Sequence, residues 1–173
     1  MTDTAAAPPG AQRTSLYAWV VLTMLALIYI FNFLDRQLMY VLIESIKNDP
    51  AFLTQQPDGQ MKGLTDEQMG WMTGFWFALV YTVLGVIVGF LADRTSRRNI
   101  LYVGATLWSA FTALCGIAQN YPTMLAARMG VGVGEAAGAP PSYSIISDYF
   151  PAEKRGLALA IFSMGVPLGQ AAA

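Results

Sequence analysis

Histidine is absent from the 173 residues, cysteine occurs once, and charged residues make up only 12%. An average soluble domain carries about 25% charged residues. Without histidine the chain lacks the commonest metal ligand and the commonest general base. Cys115 stands alone, so it forms no disulfide or cysteine metal site within this chain. No nucleophile with a neighbouring base is recognisable, so the chain does not read as an enzyme and implies no metal and no cofactor. A formal net charge of -1 supplies no basic field for nucleic acid.

What is present is apolar. Hydrophobic residues make up 55% of the chain, and they are gathered into runs. A bilayer core about 30 Å thick is crossed by about 20 apolar residues in a helix. Runs of that kind cover residues 16–34, 69–92, 100–124, 129–150 and 157–173. The expected helices are 17–47, 65–93, 97–119, 121–150 and 152–173. Thr65 followed by Gln68 forms a capping-box signature before the second run. Asp66 and Glu67 suit a helix amino terminus, and Pro122 and Pro151 suit first-turn positions. Residues 1–15 are rich in Ala, Pro and Thr with Arg13 as the one basic residue. They are expected to form a disordered cytoplasmic tail and not a cleaved leader.

Orientation follows from the basic residues of short loops. Arg94, Arg97 and Arg98 lie in the second connection, and Lys154 and Arg155 in the fourth. These connections and the amino terminus are expected on the cytoplasmic side of the inner (plasma) membrane. The long polar segment 48–64 is expected outside the lipid on the other side.

Charge within such runs is expensive, and it usually faces a partner or a wet cavity. Four residues qualify: Asp35, Arg36, Arg128 and Glu135. Asp35 and Arg36 are consecutive and point about 100° apart on a helix, so they cannot both face one spot squarely. Arg128 and Glu135 are seven apart, on one face but two turns distant. Each therefore wants a partner on another helix. Glu135 lies among Gly130, Gly132, Gly134 and Gly138, where a neighbouring backbone can approach. A carboxylate in such a place can exchange a proton with a cavity, which a proton-coupled carrier requires. The competing reading is a structural ion pair.

Glycines recur four apart at 70 and 74, at 85 and 89, and at 130, 134 and 138, the spacing of close helix packing in lipid. Pro140 and Pro141 are expected to break the fourth helix, with Ser142, Tyr143 and Ser144 placed to satisfy freed carbonyls. The sequence GVGEAA at 132–137 matches a dinucleotide-binding pattern, but the pattern needs a preceding strand and is set aside.

GFLADRTSRR, residues 89–98, resembles the signature between the second and third helices of the major facilitator superfamily, with Ser96 in place of the usual glycine. LAARMGVGVGEA resembles the superfamily's arginine-containing fourth-helix motif, with Arg128 as its arginine. SMGVPLGQ resembles the antiporter motif only in part, because Val166 separates Gly165 from Pro167, and antiport is not inferred. FNFLDRQ, GLTDEQMGWMTGFWFALVY and RMGVGVGEAAGAPPSYSIISDYFP resemble bacterial members of the spinster-like subfamily.

The resemblance implies an all-α membrane protein, namely the amino-terminal five helices of a fold of twelve helices in two six-helix halves. It also implies a carboxyl-terminal half as partner, and a chain more than twice this long. By resemblance, Asp35 and Glu135 are the proton-coupling residues. Arg36 and Arg128 bind substrate. Gly89, Asp93, Arg94, Arg97 and Arg98 form a cytoplasmic gate. The implied activity is proton-coupled secondary transport of a lipid-like, lysolipid or sphingoid-phosphate-like substrate through membrane lipid by alternating access. A carrier of a small organic anion is the alternative, and a non-transporting membrane subunit a more distant one. Trp71, Met72, Phe75, Trp76 and Phe77 suit a lipid-accepting cavity or, equally, plain packing.

Overall fold

The computed structural model describes residues 15–55 and 60–173. The expected tail therefore lies outside the described residues, apart from Ser15. The fold is helical throughout, with one two-residue antiparallel ladder pairing Thr54 with Lys62 and Gln55 with Met61.

The first span is α1, Leu16–Val41, continued after Leu42 by the short α2, Ile43–Lys47. Ser15 caps it, its hydroxyl accepting from Tyr17 N–H. The second span comprises α3, Asp66–Gly70, a π-helical turn over Trp71–Phe75, and α4, Trp76–Arg94. Its capping box is formed as expected, with Gln68 N–H donating to Thr65 Oγ1 at 3.2 Å and Thr65 N–H to Gln68 Oε1 at 2.9 Å. Thr73 Oγ1–H donates back to the Met69 carbonyl at 2.8 Å within the π turn. Such a turn inserts an extra residue and re-aims the side chains that follow. The third span is α5, Arg97–Gly116, which stops short of 119.

The fourth span is two helices, α6, Tyr121–Ala136, and α7, Ala139–Tyr149. The break falls just before Pro140 and Pro141, whose missing amides cannot continue the hydrogen-bond ladder. Ser142 Oγ–H donates to the Gly138 carbonyl at 2.7 Å. Asn120 caps α6 by accepting from Thr123 N–H at 3.0 Å. The fifth span divides likewise into α8, Ala152–Ser163, and α9, Gly165–Ala171, with Pro167 in the first turn of the latter. Pro151 sits at the cap of α8 and not inside its first turn.

Among the described residues three helices are long and apolar enough to cross a membrane: Leu16–Val41, Asp66–Arg94 and Arg97–Gly116, with mean hydropathies of 2.0, 2.3 and 1.2. Their outward residues are apolar, among them Phe90, Val86, Tyr102 and Val103, all more than half exposed. An apolar surface of this extent belongs in lipid.

Packing is organised in two apolar clusters. One joins Ala18, Leu22 and Leu25 of α1 to Ile146 and Phe150 and to Ala158 and Phe162 of α8. The other joins Met39 to Phe52, Leu64, Met69, Met72 and Met124. Residues 32–36 of α1 lie in sequence between the two clusters, so polar groups are confined to a layer with apolar packing on either side.

Glycines decide which helices come close. A Cβ on Gly134 would run into the backbone of Trp108 and the Gly104 carbonyl, and one on Gly130 into the Phe111 ring. Gly165 and Gly169 seat α9 on α1 at Tyr29, Ile30 and Phe33. Gly70, Gly74, Gly85 and Gly89, by contrast, meet nothing within 4 Å among the described residues. Identical spacing thus serves close packing on α6 and leaves a smooth open face on the second span. Gly134→Ala is expected to push α5 from α6 and cost about 1–3 kcal/mol. A lowered thermal midpoint of the purified protein in detergent would register it, and an unchanged midpoint would refute the close approach.

Candidate functional site

The four membrane charges meet in the polar layer. Consecutive residues of α1 turn to different points of α6, as their 100° separation requires. Arg36 Nε–H donates to Glu135 Oε2 at 2.5 Å. Arg128 Nη1–H donates to Asp35 Oδ2 at 3.4 Å, and Trp108 Nε1–H reaches the same oxygen at 3.4 Å. Each helix supplies one cation and one anion, so the layer is neutral overall. Side-chain exposure divides the carboxylates: Glu135 is 0% exposed and Asp35 16%.

Aromatic rings surround the guanidinium groups. The Arg36 guanidinium carbon lies 4.3 Å from the centre of the Tyr81 ring and 5.1 Å from those of Phe33 and Phe77. Arg128 lies 5.2 Å from the Phe77 ring, so one ring serves both arginines. A Cβ at Gly132 would stand 3.4 Å from the Phe77 carbonyl and 3.5 Å from its ring, ordinary contact distances, so α6 lies directly against Phe77 there. Each desolvated cation–π contact contributes up to about 2 kcal/mol and adds to the carboxylate pairing of these arginines.

A cavity of about 250 Å³ opens before this wall, lined by Arg36, Thr73, Gly74, Phe77, Tyr81 and Arg128 among others. Arg36 Nη2, Arg128 Nε and Glu135 Oε1 are buried without a hydrogen-bond partner among the described residues. Unsatisfied buried polar atoms are rare in folded proteins, and here two donors and one acceptor lie unsatisfied together.

The opposite end of the bundle holds the residues that the family resemblance implies for a cytoplasmic gate. A cavity of about 470 Å³ is lined there by Asp93, Arg97, Arg98 and Asp148, with Tyr17 and Tyr149 beside them. Arg97 pairs with Asp148 and also donates through Nε–H to the Ala92 carbonyl at 3.4 Å. Gly89 and Arg94 are not on this wall. At the loop end, Lys47 is tied to Asp66 at 2.6 Å and to Glu44 at 3.3 Å.

Sequence reasoning singled out all four charges but not Phe33, Tyr81, Trp108 or Asp148, and it left Phe77 open between cavity wall and packing. Phe33 with Arg36 and Phe77 with Tyr81 are spaced three and four apart, the distances at which helix side chains meet. That spacing was the available signal for the rings. Trp108 and Asp148 reach their partners over 73 and 51 residues of sequence, and nothing local marks them.

The sequence model of the Major Facilitator Superfamily matches residues 25–173. An MFS-type efflux pump of Mycolicibacterium smegmatis is 32% identical over 155 residues, covering 90% of this chain and 33% of the pump. Protein spinster of Drosophila melanogaster is 30% identical over 151 residues, covering 87% of this chain and 23% of that protein. A crystal structure of a bacterial homologue of the human lysosomal transporter spinster, inward-facing and unoccupied, superposes with a TM-score of 0.79 at 38% identity. The match covers 92% of this chain and 30% of that one. The chain thus spans a third or less of the length of these relatives.

Proposed function

The chain belongs to the major facilitator superfamily of membrane transporters and is similar to its spinster-like members, and from that premise we propose that it forms part of a proton-coupled carrier of an amphipathic anion. The observation that carries this reading is the pair of crossed ion pairs behind a cavity walled by two arginines and aromatic rings. Arg36 has a buried nitrogen, Nη2, without a partner among the described residues, which suits an anionic headgroup. Phe77, Tyr81 and Met39 on the same wall suit an apolar body.

Coupling follows from charge balance. An incoming anion that draws Arg36 away from Glu135 leaves a carboxylate with no exposure and no countercharge. Such a group is costly to keep ionised, and a proton neutralises it. Proton and anion then travel together, and their release restores the Arg36–Glu135 pair. A substrate site between two halves needs a second half, so alternating access belongs to the longer assembly. The basic residues of the 94–98 and 154–155 connections support a cytoplasmic amino terminus in a plasma (inner) membrane.

The test is flux through the full reading frame in proteoliposomes under an imposed proton gradient, with lysolipids and small organic anions as substrates. Gradient-driven lysolipid flux that disappears in Glu135→Gln is the expected result. Flux of small anions alone would favour the organic-anion carrier, for which the two arginines on the cavity wall speak. Flux indifferent to both gradient and substitution would end the coupling reading.

A further inference from the structure

A further cavity, of about 370 Å³, shares Met39 and Arg128 with the cavity before Arg36 and is otherwise lined by different residues. Its wall includes Asp35, Thr112, Cys115 and Arg128, and it reaches Asp49 of the first connection and Ala118 just before the third. We infer that this cavity is a water-filled passage, formed within the helices of this chain, by which the Asp35–Arg128 pair is reached from the side of the 48–64 connection. It rests on the transporter reading and on the orientation given above.

Three observations converge. Asp35 is the more exposed carboxylate, at 16%, and it borders this cavity but not the one before Arg36. Thr112 Oγ1 and Arg128 Nε are buried without a partner among the described residues, and both belong to residues of this wall. Buried polar groups of this kind are satisfied by water where a cavity has room, and a water occupies about 30 Å³ of liquid. The space is therefore ample for several. The cavity is also bounded by α5, through Thr112, Cys115 and Gly116, whereas the residues bordering the Arg36 cavity come from α1, α6 and the second span. The two carboxylates are thus served from different sides: Glu135 is sealed behind Arg36, and Asp35 faces a separate opening.

Cys115 is a built-in reporter. In the full-length protein, with any cysteine outside residues 1–173 replaced by serine, a charged, membrane-impermeant methanethiosulfonate is added to the outside of intact cells. The expected result is that Cys115 reacts about tenfold faster, or more, than a cysteine placed at Leu114 in a Cys115→Ser background, since thiol chemistry needs the hydrated thiolate. Leu114 has the same depth on α5 but is 43% exposed on the apolar surface and does not border the cavity. Thr112→Leu, which narrows the passage, is expected to slow the reaction. Lys62→Cys serves as a control in the 48–64 connection. If Lys62→Cys is labelled from outside and Cys115 is not, the passage is wrong while the orientation stands. If Cys115 reacts only with an apolar, uncharged reagent, the cavity is a lipid-facing groove and the inference is overturned. Rapid labelling combined with normal transport by Asp35→Asn would keep the passage and remove the coupling role of Asp35.

Discussion

Arg36→Ala is expected to destabilise the protein by about 3–5 kcal/mol, the cost of leaving one partner of a buried pair uncompensated. Its partner Glu135 has no side-chain exposure and keeps only one other route to neutrality, a proton. The substitution also removes the contacts with the Phe33, Phe77 and Tyr81 rings, so packing and charge fail together. A sharp fall in thermal midpoint and in monodisperse yield from detergent is the expected readout. The double variant Arg36→Met with Glu135→Met should recover most of the loss, because an apolar pair of similar volume carries no desolvation cost. If Arg36→Ala is as stable as the wild type, the pair is not the buried anchor its geometry describes. If the double variant is no better than the single one, the cost lies in packing and not in charge.

The second large effect is on coupling. Asp35→Asn keeps size and hydrogen bonding to Arg128 and Trp108 but cannot carry a proton. It is expected to lower proton-driven substrate accumulation by more than about tenfold, a loss of about 1.4 kcal/mol or more. Substrate exchange between two equal pools, which needs no net proton movement, should persist. Measuring both modes on the same proteoliposomes separates coupling from binding. Loss of both modes would assign Asp35 to structure or to substrate, and retention of both would remove it from the mechanism. The contrast with Glu135 is instructive, since Glu135 sits directly on Arg36 and its replacement should disturb binding and coupling alike.

How far the sequence reached differs from element to element. The helical stretches were legible because lipid leaves an apolar run little choice: about 20 apolar residues in succession form a helix with satisfied backbone groups. The Thr65 capping box and the break at Pro140–Pro141 were legible because both follow from hydrogen bonds within a few residues. The π turn over Trp71–Phe75 was not, because propensity alone does not distinguish it from a regular helical turn. The four membrane charges stood out because a charge in an apolar run has no local explanation.

What the tertiary structure alone decided is which charge meets which, and which glycine meets anything. Asp35 with Arg128 and Arg36 with Glu135 are partners across 93 and 99 residues, and the sequence permits other pairings of the same signs. Coulomb attraction acts through distance in space, and that distance exists only once α1 and α6 are packed. Likewise Gly85 and Gly89 have the same spacing as Gly130 and Gly134, yet only the latter pair touches a neighbour among the described residues. Hydropathy and local hydrogen bonding are properties of a segment, so the sequence by itself determined the helices and the presence of membrane charge. Ion pairs, close approaches and cavities are properties of pairs of segments, so they waited for the fold.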